Sequence, residues 1–382
     1  MFWINGVTAF LFACTGPVAI ILTVAQSSGL PDDFVSSWLF GCFAVTGLYT
    51  LYFSWLHRQP IAFAWTIPGT VLLLTSLDHL EISDVIGAYM ATGVLILLVG
   101  LSGLSEKLLK AMPKPIVMAM VAGIFLDFGL NLVGAFEHSA LMAACMIVTF
   151  LLCSRLSVIA RTFPPVLVAL VAGLVVVWLQ DGFDVRSSLP GLFSLPRIYA
   201  PSMSLPAMLE LVVPLAITVL VVQNGQGFAV LSHAGHRPPM RSMTTACGSG
   251  TLIIGLMGSV PMCVTGPSNA ILSSNGEKER QYLGALLYGV LAILFGVFSA
   301  LMTWLAFSLP VAFVAVLGGL ATFKVLQGAF VAAFSGEHSL GALVTLVVTV
   351  SDVTIWNIGA PFWGLVFGIA VSRLLESATE KA

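Results

Sequence analysis

The chain has 382 residues, 58% of them hydrophobic and only 8% charged. Soluble domains carry roughly 25% charged residues, so this sequence cannot cover a water-facing surface and reads as an all-α polytopic membrane protein. A net charge of −2, with no polybasic run, argues against a nucleic-acid partner and against recruitment by lipid headgroups.

Apolar runs near twenty residues recur from end to end, each long enough to cross about 30 Å of hydrocarbon. A β-barrel would need alternating segments of about ten residues instead. In chain order, spans are expected at roughly 4–27, 34–56, 61–77, 83–103, 114–135, 138–158, 164–180, 207–231, 240–258, 261–274, 280–305, 309–333, 337–353 and 357–375. The opening "MFWINGVTAF" lacks a positive n-region and a cleavage site, so it reads as the entry to the first span. That span carries Thr15 ahead of Gly16-Pro17.

The third and tenth segments are abnormally short. "QPIAFAWTIPGTVLLL" (59–74) begins like a strand, with Ile61, Phe63 and Trp65 alternating with alanines, and is then punctuated after Thr66 by Pro68-Gly69. "VPMCVTGPSNAILSS" (260–274) repeats the plan around Gly266-Pro267. Irregular backbone at membrane depth is tolerated only where protein or a polar cavity surrounds it. The pieces at 61–66 and 261–265 are therefore expected to pair, each leading into a half-helix. The alternative is that each Pro-Gly pair merely kinks an ordinary helix.

Between and beyond these, the eighth segment places Gln223, Asn224 and Gln226 in "VVQNGQGFAV". Three amides in an apolar run are expected to face a cavity, or to glue helices together. Two charges fall inside spans: Asp127 in the fifth and Lys324 in the twelfth, each fourteen residues after its proline. A rise of 1.5 Å per residue puts them roughly 10 Å apart in depth, which disfavours a direct pair. They read as charges near opposite mouths of a pathway, possible gate or proton-pathway groups, with Lys324 alternatively snorkelling to the interface. Glu137 and Glu210 read as interfacial, leaving no midplane acid as a proton carrier.

Lys and Arg placement gives the orientation. With both termini cytoplasmic, twelve cations fall in inside loops and only Arg186 and Arg197 outside. Proline spacing suggests an internal repeat: Pro17 and Pro214, Pro113 and Pro310, and Pro164 and Pro361 are each 197 residues apart. Seven segments per repeat is an odd number, so the halves 1–195 and 196–382 would run inverted, as in secondary transporters. The half-helix N-termini would then meet near the midplane, and two positive dipole ends suit an anion. Gly69 and Gly266 would admit it close to the backbone, with Thr70, Ser268 and Asn269 as donors and Thr15 a weaker contributor. Phe63 and Trp65 would stack on an aromatic ligand or simply pack.

Catalytic chemistry finds no support. The six cysteines show neither metal nor disulfide spacing, the histidines fall at loops or span ends, and no HExxH, GxSxG or P-loop occurs. No metal site, cofactor or enzymatic activity is expected.

The blocks "FACTGPVAIILTVAQSSGL", "RQPIAFAWTIPGTVLLL", "GAYMATGVLILLVGLSG" and "AGIFLDFGL" resemble the benzoate/proton symporter (BenE) family. The resemblance covers most of the chain and is densest in its first half. That family is related to the uracil/xanthine permeases and the sulfate and bicarbonate carriers. The resemblance implies fourteen segments in two inverted repeats, with segments 3 and 10 as strand plus half-helix. It also implies a core domain (about 1–105 and 205–306) and a gate domain (about 112–182 and 309–376), with substrate at their interface. Nucleobase permeases of that fold carry glutamates on segments 8 and 10, where this chain has Gln223, Asn224, Gln226, Ser268 and Asn269. Neutral amides and hydroxyls suit a carboxylate better than a nucleobase.

The resulting expectation is proton-coupled uptake of benzoate or a similar small aromatic carboxylate by alternating access. The setting would be a bacterial cytoplasmic (inner) membrane, with a homodimer expected by resemblance. An inorganic-anion exchanger or channel, or a nucleobase/proton symporter on the same fold, is the alternative.

Overall fold

The computed structural model describes residues 2–105, 107, 113–156, 164–180, 191, 193–274, 276–351, 353, 355 and 360–376. Lys110, Arg161, Arg186 and Lys381, which enter the orientation count, lie outside them. The first half runs α1 (Phe2–Ser27), α2 (Asp32–His57), β1 (Phe63–Trp65), α3 (Ile67–Ser76), α4 (Ile82–Ser102), α5 (Lys114–Arg155) and α6 (Pro165–Leu179). The second runs α7 (Leu205–His233), α8 (Met240–Gly255), β2 (Met262–Val264), α9 (Gly266–Leu272), α10 (Lys278–Val297), α11 (Ser299–Phe307), α12 (Val311–Phe334), α13 (Ser339–Val350) and α14 (Ala360–Val371).

Among the described residues, seven helices are long and apolar enough to cross a membrane. One of them, α5, has 42 residues and leaves helical geometry at Ser139 (φ −156°, ψ 74°), which splits it into the two spans expected there. The eleventh expected span, 280–305, is a helix that breaks at Phe298 (φ −96°, ψ 17°) and resumes as α11, packed on α2. No proline marks that break, and Gly296 lies two residues ahead of it. Helix α7 contains two π turns, Met208–Val212 and Thr218–Gln223, the second ending at the amide cluster.

The helices pack in two sets. In one, α5 lies along α12, α13 and α6, and α13 packs on α14. In the other, α4 packs on α8, α10 on α2, and α1 on α10 and α9. Contact between α1 and α12 joins the sets.

The broken segments are strand plus half-helix, as expected. β1 and β2 pair antiparallel with Phe63 opposite Val264, Ala64 opposite Cys263 and Trp65 opposite Met262. Thr66 N–H donates to the Pro261 carbonyl (3.0 Å) and Thr265 N–H to that of Ala62 (3.3 Å), extending the ladder at both ends. Proline in the first turn of α3 and of α9 occupies a position whose N–H would have no helical partner, and so starts each half-helix without cost.

The far end of α3 is tied to α7 by Glu210. The sequence places this residue at interfacial depth, and within the protein it is only 4% exposed. One carboxylate oxygen accepts from Ser76 Oγ and the other lies 2.8 Å from His79 Nε2. These two partners are what make its burial tolerable. Replacing Glu210 with Ala removes both contacts, leaving Ser76 its bond to the Leu72 carbonyl (3.1 Å) and His79 partly exposed, at about 1–2 kcal/mol for lost hydrogen bonds to a charged group. The thermal midpoint of Glu210→Ala in detergent should fall clearly, while Glu210→Gln, which still accepts from Ser76, should fall less.

Candidate functional site

An isolated pair of three-residue strands has two open edges, each a row of unpaired backbone groups. Here the edges are closed by side chains. Thr50 and Ser54 of α2 accept the N–H groups of Phe63 (2.9 Å) and Ile61 (3.2 Å), and Ser54 also donates to the Ile61 carbonyl (2.8 Å). Thr251 of α8 accepts from Met262 N–H at 3.0 Å. Asn269 Oδ1 accepts from Ala62 N–H and Asn224 Oδ1 from Val264 N–H, both at 2.8 Å. The two asparagines expected to meet a ligand thus hold backbone, and both are fully buried.

The remaining expected residues divide by position. Thr66 caps α3: its Oγ1 accepts from Gly69 N–H (3.2 Å) and donates to Thr218 Oγ1 (2.9 Å). Thr70 and Thr15 return their hydroxyls to the carbonyls of Thr66 (3.0 Å) and Leu11 (2.7 Å). Ser268 is buried against the Tyr288 hydroxyl. A Cβ on Gly69 would lie 2.8 Å from Leu215 Cδ2, so this glycine serves the packing of α3 on α7.

Of the two ligand roles weighed for Phe63 and Trp65, packing is what their surroundings provide. Phe63 meets Phe53 and Tyr49 edge-on, and Trp65 lies 4.9 Å from Phe43, at 0% and 2% exposure. Neither is among the residues that line the cavity between the half-helices.

What remains polar faces a cavity of about 760 Å³. It lies between the two helix sets: Ile67 and Pro68 of α3, Pro267 of α9 and residues 221–232 of α7 form one wall, α5 and α12 the other. Both half-helices therefore bring their first turns to one space. Gln223 and Gln226 line it, and Gln226 lies over α9, because a Cβ on Gly266 would sit 2.8 Å from Gln226 Cβ. The opposite wall supplies Lys324 of α12 and Lys114 of α5 amid Val117, Val121, Phe125 and Val325. Among the described residues no acid lines it.

Lys324, expected near a mouth of the pathway, shares this space with the half-helix tips. Asp127 is exposed on α5 and does not line it. Sequence reasoning missed two lining residues, Phe125 and Lys114. Nothing distinguishes Phe125 from its apolar neighbours, and Lys114 reads simply as a loop cation. No group of three metal-ligating side chains occurs among the described residues.

Comparison with known proteins adds a family. The profile of the benzoate membrane transport protein family, BenE, matches residues 3–374. The inner membrane protein YdcO of Escherichia coli (strain K12) is 29% identical over 367 residues, spanning 95% of this chain and 93% of that protein. The benzoate membrane transport protein of Acinetobacter baylyi is 27% identical over 379 residues, spanning 97% and 94%. In structure, the chain is similar to the transmembrane domain of a cyanobacterial bicarbonate transporter, BicA, with a TM-score of 0.65 at 18% identity over 96% of each chain. It is also similar to SLC26A9, with a TM-score of 0.70 at 11% identity, over 98% of this chain and 64% of that one. At these identities the structural likeness concerns the fold.

The asparagine clamps make a specific expectation. Asn269→Ala and Asn224→Ala each orphan a buried N–H, costing about 1–3 kcal/mol. Both should lower the thermal midpoint in detergent, whereas Gln223→Ala should leave it within about 0.5 kcal/mol of wild type, since its amide faces open space.

Proposed function

The chain belongs to the benzoate membrane transport protein (BenE) family, and from that premise we propose that this multi-pass membrane transporter imports benzoate or a similar small aromatic carboxylate with protons. The observation that carries the reading is the cavity's composition: among the described residues two lysines, two glutamine amides, one serine and no acid within otherwise apolar and aromatic walls. Lys324 and the amides of Gln223 and Gln226 would hold the carboxylate beside the first turns of α3 and α9. A charge-assisted hydrogen bond in such surroundings contributes roughly 1.5–3 kcal/mol. Phe125, Val117, Val121 and Val325 would enclose the ring. A cavity of about 760 Å³ suits an organic ligand, since small-molecule sites run from about 300 to 1,000 Å³.

The two walls belong to the two sets of packed helices. In our reading the set with the half-helices is the core domain (about 1–105 and 205–306), and the set with α5 and α12 is the gate (about 112–182 and 309–376). Movement of one against the other gives alternating access. Inverted repeats, 1–195 and 196–382, are supported by the strand edges, where Thr50 ahead of β1 and Thr251 ahead of β2 do the same work. The cavity runs toward Lys114 and Met240, the end richest in cations, which the positive-inside rule makes cytoplasmic. The state described is then inward-open, in a bacterial inner membrane.

A second reading, exchange or channel flux of inorganic anions, draws on the bicarbonate transporter of similar fold. Labelled benzoate uptake into proteoliposomes separates the two. Accumulation should require a pH gradient, and benzoate rather than sulfate or uracil should compete; gradient-independent flux without accumulation would favour the channel. Lys324→Ala and Gln223→Ala should each lower uptake by about tenfold or more, from the hydrogen-bond energies above. Wild-type transport by both would sink the site assignment.

A further inference from the structure

A second polar cleft lies where the ends of α2, α7 and α10 meet, at the same end of the molecule as the cavity: Gly235 and Arg237 line the cleft, Ser232 and Met240 the cavity. It encloses about 600 Å³ and is lined by Arg58, Arg237 and Lys278, with Tyr282 beside them. No carboxylate among the described residues lies within salt-bridge distance of these three cations. The neighbouring Arg280 is paired with Glu277 at 3.3 Å, and Glu279, the one acid of the cleft, is exposed.

The cleft is built rather than incidental. Arg58 ends α2 in the left-handed conformation (φ 51°, ψ 37°), which a non-glycine residue seldom adopts. Its guanidinium donates to the Tyr282 hydroxyl at 2.6 Å and lies over the Tyr282 and Trp55 rings at 4.9 and 5.9 Å. Those contacts fix the fork while leaving most of its five N–H donors unused. Gly235 turns the chain at φ 82°, and the Lys278 ammonium stands 3.6 Å from the position its Cβ would take. Gln59 Nε2 donates to the Arg237 carbonyl at 2.9 Å, joining the end of α2 to the α7–α8 turn.

From the cleft an apolar stripe runs back along α2. Leu48, Tyr52, Trp55 and Leu56 are all exposed, and their spacing places them on one helix face. Tyrosine and tryptophan at this level mark the boundary between headgroups and acyl chains. We propose that the cleft is a binding site for an anionic phospholipid, its phosphate held by Arg58, Arg237 and Lys278 and its acyl chains laid along the α2 stripe. The stripe favours a lipid over free phosphate, because inorganic phosphate has nothing to place there. Such a lipid would hold together the ends of α2, α7 and α10, the first two of which close the strand edges.

The test titrates the full chain in detergent with phosphatidylglycerol, with phosphatidylcholine of the same acyl chains, and with inorganic phosphate, reading binding by native mass spectrometry and the thermal midpoint. Phosphatidylglycerol should bind and raise the midpoint, and the other two should do neither. Affinity should fall about fivefold for each charge removed in Arg58→Gln, Arg237→Gln and Lys278→Gln, since each cation near an anionic headgroup contributes about 1 kcal/mol. Arg155→Gln, a cation at the end of α5, should change nothing. Should any of these variants fail to fold, the salt dependence of the wild type decides, because affinity must drop between about 0.1 and 1 M salt. Equal binding of the two lipids, unchanged affinity in all three variants, or phosphate giving the same stabilisation as phosphatidylglycerol would each overturn the proposal.

Discussion

Extended backbone in the interior of a membrane protein exposes N–H and C=O groups that neither lipid nor water can satisfy. Everything around β1 and β2 answers that constraint. The strands pair with each other through three residues, and α2, α7, α8 and α9 each contribute an oxygen to close what the pairing leaves open. Four helices are thereby fixed in register against six residues of strand. The half-helices that follow inherit this rigidity, since each begins immediately after its strand.

This arrangement also decides which polar groups are available for binding. Asn224, Asn269, Thr66 and Thr70 are committed to backbone or to each other's neighbours. The groups left facing space are the amides of Gln223 and Gln226 on one wall and the ammonium of Lys324 on the other. A rigid wall carrying neutral donors, opposed by a cation on a separately packed set of helices, gives a ligand two partners that need not move together. Inside a single four-residue run, Asn224 holds a strand while Gln223 and Gln226 line the cavity.

Much of this was legible in the sequence because proline and glycine act locally. Pro68-Gly69 and Gly266-Pro267 announce the broken segments, and their too-short apolar runs predict the strand pairing that the structure contains. The roles of individual side chains were less legible, because these depend on facing. For Phe63 and Trp65 the sequence leaves ligand stacking and packing open, and only the register shows both set against neighbouring rings. Glu210 looks interfacial because its partners, Ser76 and His79, are more than a hundred residues away in the chain. Lys324 was placed by counting rise along one helix, a measure of depth that is silent about which neighbour it faces.

The π turn at Thr218–Gln223 sits just ahead of the amide cluster. Its wider coil inserts the equivalent of one extra residue before Gln223, so the downstream face is rotated by roughly 100° from where an unbroken helix would carry it. That offset is what lets Asn224 reach β2 while Gln223 and Gln226 line the cavity. Specificity here is encoded in chain length as well as in side-chain identity. A single-residue deletion inside the turn would keep every amide in the sequence and point each of them the wrong way, so alignments that treat such a gap as neutral would misjudge the protein they describe.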